Sequence, residues 1–150
     1  KKFRKNESKN SGLIYQEKVR VNYNREIAKG YLEVEFESEI IGLHSRPGQF
    51  INILPNLNWN NVMRRPMSIS QQSNSSLRII FKIVGTGTAI MSNWKEGELV
   101  DIIGPLGNYW KNWKKYHPIL IGGGVGIAPI LNLHYHLNFL SFPQNKNDAT

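Results

Sequence analysis

Four glycines in the last third of the chain have the spacing of a phosphate-binding turn. Gly122, Gly123, Gly124 and Gly126 follow a short apolar run and precede a helical pattern. Bare backbone allows close approach to a pyrophosphate, and the N–H groups that open the following helix attract the anion. Pro129 stands where the G-x-G-x-x-G pattern would place its last glycine, and no Walker lysine follows. The segment predicts a pyrophosphate site, with a ligand-free strand-to-helix turn as the alternative.

A pair of arginines before a proline forms a second candidate site. Pro66 favours an extended conformation for Arg65, so a strand would present this guanidinium close to the hydroxyl of Ser68. Arginine binds phosphate through two parallel hydrogen bonds, and serine adds a directional one. The pattern is also typical of an ordinary surface strand that carries Arg64 and Arg65.

Glycine and threonine alternate over residues 85–88, which is the third candidate site. Gly87 and Thr88 precede a short apolar helical pattern. The segment therefore predicts a second helix N-terminus that is preceded by glycine, where a phosphate could contact the bare backbone. The alternative is an ordinary turn in which Thr88 caps the helix.

The composition limits the classes of protein to consider. The 150 residues carry 19 Lys and Arg against 11 Asp and Glu, a formal charge of +8, and 40% are hydrophobic. That apolar fraction argues against disorder, and the charge suits an anionic partner or reflects a lysine-rich background. The absence of cysteine excludes disulfides, thiolate nucleophiles and cysteine-ligated metals in this chain. No apolar run is long enough to span a bilayer and no signal-peptide pattern is present, so we expect a cytoplasmic protein without a membrane partner.

The elements that would position these residues are mostly short strands. Residues 18–23 and 31–37 alternate between apolar and polar side chains, as antiparallel strands wet on one face do. A helix is predicted over Ala89–Trp94, with Gly97 at its end. The further predicted strands are Gln49–Leu54, Arg64–Ser70, Leu77–Val84 and Leu99–Ile103. Short strands with turns between them favour a small barrel or sandwich.

The pattern changes after a predicted turn at residues 104–108. Tyr109–His117 mixes basic and aromatic residues, Pro118–Ile121 predicts a buried strand of the parallel type, and Ile130–Phe139 predicts a helix. Strand, glycine turn and helix form the first half of a βαβ unit. At the other end of the chain, Lys1–Gly12 is polar and non-periodic and is expected to fray.

Taken in order, five segments resemble the ferredoxin-reductase-like flavoprotein superfamily. Within it, the chain is most similar to the family of electron-transfer subunits of dihydroorotate dehydrogenase B. The matching segments span Leu13 to about Leu140; they are Pro47-Gly48-Gln49-Phe50, Arg65-Pro66-Met67-Ser68-Ile69, Gly85-Thr86-Gly87-Thr88, Gly104-Pro105-Leu106-Gly107-Asn108 and Gly122-Gly123-Gly124-Val125-Gly126-Ile127-Ala128-Pro129.

The resemblance implies a barrel followed by an α/β segment. Residues 1–110 would form a six-stranded antiparallel Greek-key barrel that binds FAD. Residues 111–150 would form the incomplete beginning of a Rossmann-like domain that binds NAD. Because that domain would stop after one strand and one helix, we expect the chain to be a C-terminally truncated fragment with little reductase activity alone. A naturally short reductase is the alternative.

The resemblance also implies roles for single residues. Arg65, Gly87 and Thr88 would hold the FAD pyrophosphate, and Ser68 would bond the flavin or its ribityl chain. Met67 stands where many members of the superfamily have a tyrosine that stacks on the flavin. The implied FAD contacts are Arg65, Pro66, Met67, Ser68, Ile80, Phe81, Lys82, Gly87 and Thr88, and the implied NADH contacts are Gly122, Gly123, Gly124, Gly126 and Pro129.

The cofactors implied by the resemblance are FAD, NAD(H) and a 2Fe–2S cluster. The cluster is expected in the complete protein, because its cysteine ligands are absent from this chain. The implied partner is a dihydroorotate dehydrogenase catalytic subunit, bound in a hetero-oligomer that we expect to be a heterotetramer. Electrons would pass between NAD(H) and that subunit in pyrimidine biosynthesis. The cofactors carry this chemistry, so no side chain is assigned as a catalyst.

Two other hypotheses remain open. One is another NAD(P)H–flavin or ferredoxin-linked reductase subunit of the same superfamily. The other is a basic barrel that binds nucleic acid, since residues 109–116 interleave basic and aromatic side chains. An interdomain connector explains that segment better, and we expect no nucleic-acid partner. His134 and His136 would lie on different faces of a helix, so we expect no metal site.

Overall fold

The computed structural model describes residues 13–56, 63–111 and 118–141. The predicted fraying at Lys1–Gly12 lies outside these residues, as does most of the basic-aromatic connector. The described part of the chain contains six strands, three α-helices and a 3₁₀ turn. They are β1 (Tyr15–Ala28), β2 (Tyr31–Glu37), α1 (Ile41–His44), β3 (Phe50–Leu54), β4 (Arg65–Gln72), β5 (Ser76–Lys82), α2 (Thr86–Met91), β6 (Leu99–Leu106), the 3₁₀ turn (Gly124–Gly126) and α3 (Ile127–Ser141).

The six strands close into one antiparallel barrel in the order β1-β2-β5-β4-β3-β6. The long strand β1 closes it, because it pairs with β2 along one side and with β6 along the other. Closure leaves no open sheet edge, which is how small barrels avoid pairing with other chains. The predicted six-stranded antiparallel barrel is confirmed.

Strand β2 shows how the sequence pattern builds the wall of the barrel. Leu32, Val34 and Phe36 point into the core and are 7%, 0% and 0% exposed. The alternating glutamates point outward, where Glu33 pairs with Arg25 and Glu35 pairs with Arg78. A strand with one buried face requires this alternation of apolar and polar residues, because successive side chains point to opposite faces.

Tyr23 lies in this outer charged cluster and donates a hydrogen bond to Glu33 (3.0 Å). Burial, and then the hydrogen bond to Glu33, raise the pKa of Tyr23 from 10.0 to about 12. Below pH 10 both the folded and the unfolded chain keep the phenol proton. As the pH rises towards 12, the unfolded chain releases it more readily, so the free energy of unfolding falls.

We therefore expect the urea midpoint of the unmodified chain to fall more steeply between pH 9 and 12 than that of Tyr23→Phe. Unfolding curves of both proteins across this range measure the difference. Parallel slopes for the two proteins would contradict the assigned pKa.

The helices depart from the predicted boundaries in physically clear ways. Helix α2 covers residues 86–91 instead of Ala89–Trp94, because the Thr88 side chain bonds back to the preceding turn and starts the helix earlier. Gly97 does not end the helix; with φ +87° it lies in the turn before β6. Helix α3 begins before the predicted Ile130, since Pro129 falls in its first turn, where its missing N–H has no intrahelical role.

Three other segments differ from their predictions. Helix α1 was not expected. Strand β6 continues to Leu106, through part of the predicted turn at 104–108, because it keeps pairing with β3 up to that residue. Pro118–Ile121 is not a strand, and Ile119 and Ile121 are 87% and 83% exposed. A parallel strand is held by a neighbouring strand, and the described residues place none beside this segment.

Helix α3 packs on the outer face of β4. Asn132, only 2% exposed, donates through Nδ2 to the carbonyl oxygen of Ile69 (3.2 Å). Ala128 and Leu133 are buried on the same helix. The helix that follows the glycine turn is therefore fixed to the strand that begins with Arg65. No helix in the described ranges is both long and apolar enough to cross a membrane.

Candidate functional site

The beginning of β4 and the beginning of α2 meet at Arg65 and Gly87. A Cβ placed on Gly87 would lie 2.6 Å from Nε of Arg65 and 3.2 Å from its Cζ, so only glycine leaves room for this guanidinium. Nη1 of Arg65 donates to the carbonyl oxygen of Met63 (3.0 Å). No carboxylate of the described residues pairs with Arg65. The arrangement holds a cation without an acidic partner beside a bare stretch of backbone.

A pocket of about 220 Å³ opens beside this contact. Aliphatic and aromatic groups from β4 and β5 form most of its lining, Lys82 supplies a positive charge, and no acidic residue lines it. The pocket thus suits a flat, largely apolar group that carries negative charge. Its lining residues are Pro66, Met67, Ser68, Ile80, Phe81, Lys82, Val84, Thr88 and Val125.

The structure brings all nine of the sequence-predicted FAD contacts together. Seven of them line the pocket, and the other two, Arg65 and Gly87, touch each other beside it. Val84 and Val125 were not predicted. Both valines are exposed; Val84 precedes the motif at residues 85–88 and Val125 lies within the glycine turn, and neither side chain carries a sequence signal of ligand contact.

Thr88 uses its hydroxyl to shape the turn before α2. Oγ1 accepts hydrogen bonds from the backbone N–H groups of Val84 (2.9 Å) and Gly85 (3.1 Å), and it donates to the carbonyl oxygen of Gly85 (3.0 Å). Gly85, not Thr88, is therefore the N-cap of α2, and Thr88 lies in the first turn of the helix, from which its hydroxyl bonds back to the Gly85 backbone. Any contact between Thr88 and a ligand would have to use other atoms of the residue.

The far end of α2 is fixed by Asn24 of β1. Its Nδ2 lies within hydrogen-bond distance of the carbonyl oxygens of Met91 (3.0 Å), Ser92 (3.2 Å) and Trp94 (3.2 Å). The last carbonyls of a helix have no partner within it, so a side-chain donor satisfies them. Asn24 thereby sets the position of the helix that carries Gly87.

We expect Asn24→Ala to lower the free energy of unfolding by about 2 kcal/mol, because it removes the side-chain donor from these carbonyls. Among the described residues, only the carbonyl of Met91 then keeps a backbone donor, the N–H of Trp94 (3.3 Å). The matched control is Asn22→Ala on the same strand, where the amide makes one exposed hydrogen bond to Glu35 (3.2 Å). Its expected cost is below about 0.5 kcal/mol. Urea unfolding of the two variants measures the difference, and equal costs would contradict the assigned role of Asn24.

The predicted NADH contacts form an exposed turn that reaches the same pocket through Val125. Gly124 has φ +56°, and a Cβ on Gly122 would lie 3.2 Å from the backbone of Ile127, so the fold itself favours glycine at both positions. A Cβ on Gly123 or Gly126 would meet nothing within 4 Å. Packing therefore does not explain the latter two glycines, whereas close approach of a ligand would.

Tyr31 connects the barrel to this turn, and sequence analysis missed it. Its hydroxyl lies 4.0 Å from the Cβ position of Gly124, and Nζ of Lys82 lies 5.4 Å from the centre of its ring. Tyr31 alternates regularly with its neighbours along β2, so the sequence marked it only as a strand residue. Within the described residues, no three His, Asp or Glu side chains lie close enough together to hold a metal ion.

Solved structures with the same architecture identify the class. The NADH-dependent reduced ferredoxin-NADP oxidoreductase matches with a TM-score of 0.71 and 29% identity, over 82% of this chain and 45% of that one. Phthalate dioxygenase reductase matches with a TM-score of 0.64 and 17% identity, over 85% of this chain and 41% of that one. The fold is therefore that of the FAD-binding barrels of ferredoxin-NADP⁺ reductase-like proteins.

Curated proteins of similar sequence indicate a narrower class of protein within this fold. The electron transfer subunit of dihydroorotate dehydrogenase B (NAD⁺) from Enterococcus faecalis is 33% identical over 129 residues, 82% of this chain and 48% of the relative. The subunit of the same name from Fusobacterium nucleatum is 35% identical over 123 residues, 79% of this chain and 48% of the relative. No family model matches. The chain is homologous to dihydroorotate dehydrogenase B electron transfer subunits, and it spans about half the length of these curated relatives.

Proposed function

We propose that this chain is the FAD-binding part of an electron-transfer subunit that passes electrons between NAD(H) and a dihydroorotate dehydrogenase catalytic subunit. The observation that carries the proposal is the contact between Arg65 and the bare backbone of Gly87, beside a pocket without acidic groups. An arginine without a carboxylate partner suits a phosphate, and the adjoining pocket suits a flat ring. The curated relatives named above support the same assignment.

The residues present fit FAD. In this assignment Arg65 binds the pyrophosphate, and the missing side chain at Gly87 leaves room for both the guanidinium and the phosphate oxygens. Ser68 supplies a hydroxyl for the flavin or its ribityl chain, and Lys82 adds positive charge at the rim. Ile80 is 5% exposed and alternates on β5 with the core residues Ile79 and Phe81, so it supplies a fixed apolar group to the outer side of the strand, where the pocket lies.

Bound FAD would supply hydride and single-electron chemistry, which no side chain of this chain provides. The protein's task is then to bind, orient and exclude water. The rigid strands β4 and β5 fix the lining residues, and Asn24 fixes α2. None of these steps requires a proton donor or acceptor, and we assign no catalytic side chain.

We further propose that the glycine turn binds the pyrophosphate of NAD(H). Gly123 and Gly126 offer bare backbone where packing does not require it, and the N-terminus of the 15-residue helix α3 follows. Val125 brings the turn to the edge of the flavin pocket. Pro129 lies in the first turn of α3 and is half-buried, so its role in this assignment is to stiffen the start of the helix.

An iron–sulfur cluster does not fit the residues of this chain. The sequence contains no cysteine, so the chain cannot supply the thiolates that hold a 2Fe–2S centre. We therefore derive no electron-transfer step through such a cluster here. In the proposed complex, a cluster would depend on ligands that this sequence does not contain.

A second candidate partner is a ferredoxin-type protein. The 29% identity to the NADH-dependent reduced ferredoxin-NADP oxidoreductase favours it. The two candidates differ in what the complete protein would bind. Co-purification with a dihydroorotate dehydrogenase catalytic subunit in a fixed ratio supports the first, and reduction of added ferredoxin with NADH or NADPH supports the second.

The flavin assignment is tested by uptake of FAD. The purified chain is incubated with FAD, freed of excess cofactor by gel filtration and examined for the visible flavin spectrum and quenched flavin fluorescence. We expect an equimolar yellow complex. A colourless protein after incubation would contradict the proposed function.

A further inference from the structure

Arg64, which precedes the proposed phosphate-binding arginine, joins three strands of the barrel. Its Nη2 pairs with a carboxylate oxygen of Asp101 on β6, and its Nη1 donates to the backbone carbonyl of Asp101 (3.2 Å). The same Nη1 lies 3.4 Å from the carbonyl oxygen of Asn52 on β3. Gln16 on β1 donates to the other carboxylate oxygen of Asp101 (2.8 Å). We call Arg64, Asp101 and Gln16 the Arg64 network.

The backbone at this point needs such a support. Pro66 pairs with Asn52 across β3 and β4, and proline has no N–H to donate to the ladder. The first residues of β4 therefore have fewer backbone hydrogen bonds than an ordinary strand. Side-chain donors from Arg64 take over part of that role, and the Asp101 side chain is only 9% exposed.

A continuous series of contacts leads from this network to Arg65. The Arg65 guanidinium lies within hydrogen-bond distance of the carbonyl oxygens of Met63 (3.0 Å) and Arg64 (3.4 Å), which belong to the backbone that the Arg64 side chain holds. Its Nε in turn faces Gly87. Asp101 thus holds the side chain of Arg64, and the backbone carbonyl of the same residue accepts a hydrogen bond from the guanidinium of Arg65.

We propose that the Arg64 network positions Arg65 for the phosphate of its ligand. Arg64 and Asp101 are then positioning residues that never touch the ligand, and the inference rests on the proposed flavin function. A guanidinium binds phosphate well only when its two donors are held at the right angle, so loosening its support lowers affinity. The network does this from the opposite side of the strand.

The test measures FAD affinity and Arg65 mobility in the full chain. Asp101→Asn keeps the size of the side chain but removes its charge. We expect the FAD dissociation constant to rise about tenfold. The matched control is Glu35→Gln, which breaks the Arg78–Glu35 pair at similar exposure (31% and 15%, against 24% and 9%). Neither side chain of this pair lines the pocket or contacts Arg65. This control should weaken folding comparably and leave FAD affinity within about twofold.

A double-mutant cycle separates positioning from general destabilisation. Arg65→Gln should weaken FAD binding about 100-fold in the unmodified chain and only about tenfold in the Asp101→Asn background, because the misplaced Arg65 contributes less to binding there. Equal effects of Arg65→Gln in both backgrounds would overturn the proposal. So would an Asp101→Asn variant that binds FAD as tightly as the unmodified chain.

An NMR readout without cofactor distinguishes this proposal from the proposed function. The Arg65 Nε–H resonance, assigned by its loss in Arg65→Lys, should be sharp in the unmodified chain and in Glu35→Gln, and broadened in Asp101→Asn. If the unmodified chain takes up no FAD, the flavin assignment fails while this signal still decides the positioning role. An unchanged Arg65 signal in Asp101→Asn overturns it.

Discussion

Arg65→Gln is expected to weaken FAD binding about 100-fold while leaving the barrel folded. The substitution removes the positive charge and the paired donors that we assign to the pyrophosphate. Hydrogen bonds to charged groups contribute about 1.5 to 3 kcal/mol each, and about 1.4 kcal/mol corresponds to a factor of ten in affinity. Because Arg65 pairs with no described carboxylate, its removal leaves no buried acid unpaired. Fluorescence titration of FAD measures the change.

The control for charge is Arg20→Gln. Arg20 is exposed on β1 and donates to the carbonyl oxygen of Gly97 (2.9 Å), so it carries the same charge on another wall of the barrel. It should lower FAD affinity less than about twofold, an effect that salt would screen. If both variants lost affinity equally, the net positive charge of the chain would account for binding, and the assignment of Arg65 would be wrong.

Gly87→Ala is expected to lower FAD affinity about 30-fold without lowering the free energy of unfolding. The new methyl group would lie 2.6 Å from Nε of Arg65, which is a flexible side chain and can move away. The guanidinium is then displaced from the phosphate while the fold absorbs the change. Alanine also favours helix more than glycine does, which offsets the crowding. Urea unfolding and FAD titration of the same variant separate the two effects.

Gly42→Ala should behave in the opposite way. A Cβ on Gly42 would lie 2.9 Å from the backbone oxygens of Ser73 and Ser76, which cannot move without shifting the chain. We expect a loss of about 1 to 3 kcal/mol in folding and an unchanged FAD affinity of the folded protein. A Gly87→Ala variant that lost stability and kept its affinity would show that this glycine serves packing only.

The barrel could be predicted because burial leaves a period of two in its strands. Leu32, Val34 and Phe36 alternate with glutamates for the single reason that one face of β2 meets the core and the other meets water. The predicted strand at Pro118–Ile121 failed for a related reason. Its apolar side chains carry the pattern of a buried strand, but strand formation depends on a neighbouring strand that local sequence does not reveal.

The residues of the site could be named from motifs, but their contacts could not. Arg65 and Gly87 lie on separate elements, and the pairing of β4 with β5, which α2 follows, brings them together. The Arg64 network was missed because Arg64 looked like an ordinary surface arginine. The position of Asp101 in the sequence did indicate an ion pair. A carboxylate in an otherwise apolar strand needs a cationic partner when it is buried. Nothing in the sequence indicated which cation that is.

The pairing of β1 with β6 also determines when the site can form during folding. Tyr15 pairs with Gly104, so the contact that closes the barrel joins the first described strand of the chain to the last. Contacts of such large sequence separation form slowly, since the chain loses more entropy in closing the longer loop. Asp101 on β6 can reach Arg64 through the pairing of β6 with β3, but Gln16 on β1 reaches Asp101 only when β1 and β6 pair, so the Arg64 network is complete only after this step. FAD uptake should accordingly follow barrel closure in refolding experiments. The rate at which bound flavin appears would then measure the rate of the last stage of folding.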